Sequence, residues 1–179
     1  RPALSGSKTL MLTSSISGEG KTFCSLNLAT VFAMSEKKTV IVGLDLRKPR
    51  IFEDFNIKND IGVVNFLIGQ KTIEEVVQKT HIPYLDVITS GPIPPNPSEI
   101  IIGESMREFM RILKSRYDYI ILDTPPVGLV SDAIELAEYL RKEQLDYTYL
   151  KEVFRYLRKE LEIKVTVEPK EQKEVYIPT

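Results

Sequence analysis

The chain has 179 residues, 24 of them Lys or Arg and 25 Asp or Glu, for a formal net charge of −1. That length suits one domain with a real core, and the balanced charge gives no electrostatic case for a nucleic-acid partner. A hydrophobic content of 42 % suits a globular protein, and a single cysteine excludes an internal disulfide framework and fits a reducing compartment.

No apolar run approaches the roughly 18 residues needed to span a bilayer, and the N-terminus carries no signal-peptide pattern. The chain therefore reads as a cytoplasmic domain, free-standing or cut from a larger membrane protein.

The first element expected is a strand over Thr9-Leu10-Met11-Leu12-Thr13, followed by Ser15-Ile16-Ser17-Gly18-Glu19-Gly20-Lys21-Thr22 and a helical pattern from Leu26 to Met34. A strand, a Gly-containing loop ending in Lys-Thr and then a helix is the arrangement that cradles nucleotide phosphates. Loop N–H groups and the helix N-terminus point at the anion, so its oxygens meet donors only. Ser15 stands where the usual pattern begins with glycine. The nucleotide-binding set is expected to be Ser17, Gly18, Glu19, Gly20, Lys21, Thr22 and Phe23, with Lys21 on the β- and γ-phosphates and the Thr22 hydroxyl on Mg²⁺. Cys24 reads as a packed helix residue.

Thr39-Val40-Ile41-Val42-Gly43-Leu44-Asp45 is a continuous apolar run of the kind found in buried parallel strands. It ends in the charged stretch Asp45-Leu46-Arg47-Lys48-Pro49-Arg50, at the strand end where open α/β sheets place their ligands. A solvated basic turn is the plainer reading of that stretch. Between residues 51 and 90 short helices are expected, one between Gly62 and Gly69 and one capped by Thr72, then a strand over Tyr84–Thr89. His81, the only histidine, reads as a surface or packing residue.

Gly91-Pro92-Ile93-Pro94-Pro95-Asn96-Pro97 is a stiff loop, because its prolines remove donors and fix φ. Ser98 is expected to cap one or two helices running from Glu99 to Lys114. Tyr117-Asp118-Tyr119-Ile120-Ile121-Leu122-Asp123 then reads as a buried strand whose terminal carboxylate orients Mg²⁺, directly or through water.

With these motifs in place, residues 1 to about 139 resemble the cytoplasmic kinase domain of the bacterial tyrosine kinases linked to capsule and exopolysaccharide export. The resemblance rests on Ser14–Thr22 as Walker A, Val40–Arg47 as Walker A′, Gly91–Ile100 as the family's proline-rich segment, and Tyr117–Ala133 as the Walker B region. It implies an α/β fold of the P-loop NTPase class, with a mostly parallel central sheet flanked by helices. It also implies ATP (or ADP) and Mg²⁺ as cofactors, and ATP-dependent phosphorylation of tyrosines on a neighbouring subunit.

Lys21, Asp45 and Asp123 are the expected catalytic residues, and Thr22, Asp45 and Asp123 the expected metal ligands. A homo-oligomer is implied, and a membrane-bound activator or fused membrane domain would hold it at the inner face of the membrane. The related partition and division-site ATPases carry an extra lysine early in Walker A; Ile16 stands there, which favours the kinase branch. One departure concerns Walker A′, usually Asp-x-Asp-x-Arg in the family: Gly43 replaces the first carboxylate, often assigned as base for the tyrosine hydroxyl. Either Asp45 serves both purposes, or positioning and charge neutralisation suffice, or activity is weak.

After residue 140 the composition changes, with 17 of residues 141–179 charged. The expected organisation is accordingly a P-loop core over residues 1–140 and an atypical charged segment, a helix plus two strands, over 141–179, packed on the same domain. Leu150, Val153, Phe154, Leu157 and Leu161 form an apolar helical face, followed by two alternating strands, Ile163–Val167 and Glu174–Pro178. Glu152, Arg155 and Arg158 resemble the family's oligomerisation motif in an unusual position, and an ordinary salt-bridged helix explains them equally well. Tyr147 and Tyr149 are candidate phosphoacceptors, or packing aromatics. Permutation or fusion, residues removed near position 140, and a divergent tail all remain open as origins of this segment.

Three functions fit: a tyrosine autokinase acting in trans, a partition-type ATPase switch without tyrosine transfer, and an inactive nucleotide-holding assembly module.

Overall fold

Four of the five strands are runs of apolar residues, and in a computed structural model of the protein they lie side by side as one sheet. The structure describes residues 6–13, 21–46, 57–101 and 103–125. The strands are β1 (Lys8–Leu12), β2 (Thr39–Gly43), β3 (Gln78–Lys79), β4 (Leu85–Ile88) and β5 (Tyr119–Asp123). Their spatial order is β1-β5-β2-β4-β3, parallel throughout except for β3, which pairs antiparallel with β4 at the edge. The expected strand over Tyr84–Thr89 and the mostly parallel sheet are both present. β3, two polar residues long, was not anticipated.

Side chains along a strand alternate between faces, so each parallel strand feeds two helical layers. Tyr119, Ile121 and Asp123 face helix α1 (Lys21–Met34). There Phe32 stacks on Tyr119 with ring centroids 3.8 Å apart, and Ala29, Phe32 and Ala33 are buried. Val40, Val42, Ile120 and Leu122 project to the other side and join the larger core. Its partners come from the short helices α2 (Val63–Leu67) and α3 (Ile73–Val76), from α4 (Pro97–Ile101), and from α5 (Glu104–Arg116), whose Met106, Phe109, Met110 and Leu113 are buried. Five buried residues in a row in β2 show why this strand reads as continuously apolar.

Two local expectations are corrected. Cys24 is exposed on α1, because Ser25 and Ala29, four residues apart, take the face toward the sheet. The helix expected to start at Glu99, after a Ser98 cap, begins two residues earlier, at Pro97. Proline's fixed φ and missing N–H suit a first helical position, and Asn96, a favourable residue to precede it, hydrogen-bonds Glu99 through Nδ2 at 3.3 Å.

The start of α3 follows the expectation for Thr72, whose N–H donates to Glu75 Oε2 at 2.8 Å. Glu75 also accepts from Lys71 Nζ at 2.8 Å. The Lys71 ammonium and then the Thr72 N–H hold the Glu75 carboxyl at about 2, below its ordinary 4.5. A folded value below the unfolded one stabilises the protein above the unfolded value, and this is lost as pH falls toward the folded one. Glu75→Gln should therefore flatten the pH dependence of urea unfolding between 4.5 and about 2. Parallel curves for the two proteins across that window would show that the contact contributes nothing.

No helix among the described residues is long and apolar enough to cross a membrane. Every described residue lies within residues 1–145, the first of the two units into which the chain divides. The helix and two strands expected after residue 140 lie outside the described residues.

Candidate nucleotide site

β5 is the central strand of the three that carry the site, and its last residue, Asp123, lies level with Leu12 of β1 and Gly43 of β2. All three strands run the same way, so their carboxyl ends open together at the N-terminus of α1. β1 ends at Leu12 and α1 begins at Lys21, both at this edge of the sheet. Just past the strand ends, Thr124 donates through both its N–H and its Oγ1 to the Leu12 carbonyl, at 3.1 and 3.0 Å. Thr13 Oγ1 donates in return to the Pro125 carbonyl at 2.9 Å.

Asp123 is 3 % exposed, and a buried carboxylate must be paired. The first turn of α1 supplies its partners. Lys21 Nζ forms a close ion pair with Asp123 Oδ1. The Thr22 hydroxyl donates to Asp123 Oδ2 at 3.1 Å. Ser25, fully buried, has its hydroxyl 3.1 Å from Asp123 Oδ1 and 3.1 Å from the Lys21 carbonyl. Positions 21, 22 and 25 share one helix face, so a single element presents three donors to one carboxylate.

Lys21, Thr22 and Asp123, predicted from motifs 101 to 102 residues apart in the chain, are thus brought together. Asp45 is half-buried two residues beyond the end of β2, on the same edge of the sheet as Asp123. Phe23, expected among the nucleotide contacts, is 70 % exposed on α1. Ser17, Gly18, Glu19 and Gly20 lie outside the described residues, as do Tyr147, Tyr149, Glu152, Arg155 and Arg158. Ser25 was missed. Its signal was its place four residues after Lys21, on the face that reaches the Walker B strand.

Mg²⁺ prefers hard oxygen donors and keeps several waters, so it is usually held by one or two carboxylates plus phosphates. The Thr22 hydroxyl and Asp123 carboxylate, already within 3.1 Å of each other, are such a donor pair.

A second constellation lies at the carboxyl end of β4. Asn59 Oδ1 accepts from the Gly91 N–H at 2.9 Å and lies 3.2 Å from Ser90 Oγ, while Asn59 Nδ2 donates to the Gly91 carbonyl at 3.0 Å. This clamp holds the start of the proline-rich loop where it leaves the carboxyl end of β4.

A mostly parallel sheet with a Lys-Thr helix start delivered to the carboxylate ending its central strand defines a P-loop NTPase fold. The chain belongs to the AAA domain family, which matches residues 7–141. It is 42 % identical over 126 residues to tyrosine-protein kinase YwqD of Bacillus subtilis (strain 168), covering 70 % of this chain and 53 % of YwqD. The kinase domain of Escherichia coli tyrosine kinase ETK superposes with a TM-score of 0.70 at 37 % identity, over 73 % of this chain and 51 % of that one. The septum site-determining protein MinD of Pyrococcus horikoshii shares the fold, with a TM-score of 0.62 at 21 % identity over 73 % of this chain and 53 % of that one. The chain thus spans about half the length of YwqD, and 17 % of the full-length Escherichia coli (strain K12) tyrosine-protein kinase etk.

Proposed function

We propose that the chain is the nucleotide-binding core of a Mg·ATP-dependent protein-tyrosine autokinase acting in trans within an oligomer, in the service of polysaccharide synthesis or export. The observation that carries this reading is the convergence of Lys21, Thr22 and Ser25 on the buried Asp123 carboxylate, in a chain whose relatives are named tyrosine-protein kinases.

In this reading Lys21 exchanges Asp123 for the β- and γ-phosphates when nucleotide enters, and Thr22, Asp45 and Asp123 hold the cation. Mg²⁺, when bound, neutralises charge on the phosphates, which is much of what a loose phosphoryl-transfer transition state requires. Ser17, Gly18, Glu19 and Gly20 cradle the phosphates through backbone N–H groups. Tyr147 and Tyr149 are the proposed acceptors on the neighbouring subunit, and Glu152, Arg155 and Arg158 a proposed contact between subunits. The far greater length of relatives such as etk supports a fused or partnered membrane domain that holds this core at the inner face of the membrane.

The test is incubation with γ-labelled ATP and Mg²⁺, reading free phosphate and protein-bound phosphotyrosine in the same sample. Label on tyrosine is the expected result. Free phosphate with unlabelled protein would select an ATPase switch, and nucleotide binding with no turnover of either kind an assembly module.

Gly43 bears on the acceptor side of the reaction. It lies level with Asp123 on the neighbouring strand, and a Cβ there would meet Ser90 N at 3.4 Å, an ordinary contact. A carboxylate at this position would sit beside Asp123, and the like charge would raise the basicity of the pair. Gly43→Asp is expected to raise phosphotyrosine formation several-fold relative to phosphate release. An unchanged ratio would show that transfer here does not depend on a base at this position.

A further inference from the structure

Asp123 has two oxygens and three donors. Lys21 and Ser25 share Oδ1, and Thr22 faces Oδ2. If Lys21 leaves for the phosphates, as in the nucleotide-binding role proposed above, Oδ1 loses its ion-pair partner, and an unpaired buried carboxylate oxygen is costly. The Ser25 hydroxyl carries one proton and lies equally close to two acceptors, the Lys21 carbonyl and Oδ1.

A bond to an ionised acceptor is the stronger of the two. The Lys21 carbonyl, moreover, is already the acceptor for the backbone N–H four residues on in the helix. The proton therefore goes to Oδ1 once the lysine departs. A serine bonding its i−4 carbonyl in a helix is ordinary by itself. What sets Ser25 apart is its complete burial against the carboxylate.

We infer that Ser25 is a positioning residue, the donor that keeps Asp123 oriented, with Oδ2 toward Thr22 and the cation, while Lys21 is engaged by phosphates. The inference rests on the nucleotide reading of the site and adds a residue to it. Its specific consequence is that Ser25 matters for nucleotide affinity only when Mg²⁺ is present.

The experiment is equilibrium binding of a fluorescent ADP analogue to the wild type, Ser25→Ala, Ser25→Cys and Ser25→Thr, each with Mg²⁺ and with excess EDTA. Ser25→Ala should bind about tenfold more weakly in Mg²⁺, the scale of one hydrogen bond to a charged group, and within about twofold of wild type in EDTA. Ser25→Cys keeps the volume with a weak donor and should follow alanine; it supplies the reading if alanine proves unstable in thermal melts. Ser25→Thr keeps the hydroxyl and should recover most of the Mg²⁺-dependent affinity.

Equal affinities of wild type and variants in Mg²⁺ would overturn the inference. So would an equal loss with and without the cation, which would mark a purely structural serine. A wild type that binds no nucleotide under either condition would overturn the function proposed above, and this inference with it.

Discussion

Lys21→Met is expected to reduce both phosphate release and phosphotyrosine formation to below about one-hundredth of wild type while leaving the protein folded, whereas Asp123→Ala should lose activity and much of its stability as well. Loss of activity in both follows from charge: removing a preorganised group aimed at the transferring phosphoryl typically costs about 10²–10³ in rate.

The stability difference follows from what each substitution leaves behind. The Lys21 and Asp123 side chains are only 9 % and 5 % exposed. Truncating Asp123 leaves a buried ammonium without its carboxylate and takes the acceptor from the Thr22 and Ser25 hydroxyls, and breaking a buried pair in this way costs about 3–5 kcal/mol. Methionine at position 21 fills much of the lysine's volume with a flexible apolar chain. Asp123 then keeps its two hydroxyl donors, so the expected cost is about 1–2 kcal/mol. Urea unfolding of the two variants reads the difference directly, and a Lys21→Met protein less stable than Asp123→Ala would contradict this account of how the carboxylate is held.

How far the sequence alone reached can be traced through the same residues. β2 and β5 were legible because parallel strands covered on both faces must be apolar at every position, and Asp123 was legible because a carboxylate ending such a run is exceptional. Lys21 and Thr22 were legible because a phosphate loop leaves few choices of residue.

Ser25 was not, since its significance depends on which face of α1 meets β5. The sequence of α1, Lys-Thr-Phe-Cys-Ser-Leu-Asn-Leu-Ala-Thr-Val-Phe-Ala-Met, is apolar almost all round and does not declare that face. The same ambiguity made Cys24 read as packed. Asn59 was lost among polar turn residues, although its side chain satisfies three groups of Ser90 and Gly91 some 31 residues away. β3 escaped because two polar residues on an edge carry no period.

Gly62→Ala is expected to be among the most destabilising single-atom additions possible in this chain, and the reason is space. The backbone of Gly62 is extended, with φ −165°, a conformation open to any residue. An added Cβ, however, would lie 2.2 Å from the Thr89 carbonyl oxygen, 2.3 Å from the Gly91 nitrogen and 2.6 Å from the Ser90 carbonyl carbon. These are backbone atoms, so no side chain can turn away.

They are also held in place. Val63 N–H donates to the Thr89 carbonyl at 2.8 Å and Val64 N–H to the Ser90 carbonyl at 3.0 Å, Asn59 clamps Gly91, and Gly91 itself has φ +81°. Relieving the clash means separating the start of α2 from the end of β4, which breaks these bonds and opens the core around Val63, Val64 and Ile88. Overpacking of a well-filled site costs about 1–3 kcal/mol, and each buried polar group left unpaired about 1–3 kcal/mol more. A loss of about 4 kcal/mol or greater is therefore expected in urea unfolding.

Gly69→Ala provides the contrast. Gly69 has φ +75° and nothing within 4 Å of the added Cβ, so only the left-handed backbone penalty of about 1–2 kcal/mol applies. Because the segment displaced by Gly62→Ala also launches the proline-rich loop from the carboxyl end of β4, any folded fraction should bind nucleotide more weakly than wild type. A Gly62→Ala protein as stable as Gly69→Ala would show that the α2 turn is not seated on β4 as closely as these distances require.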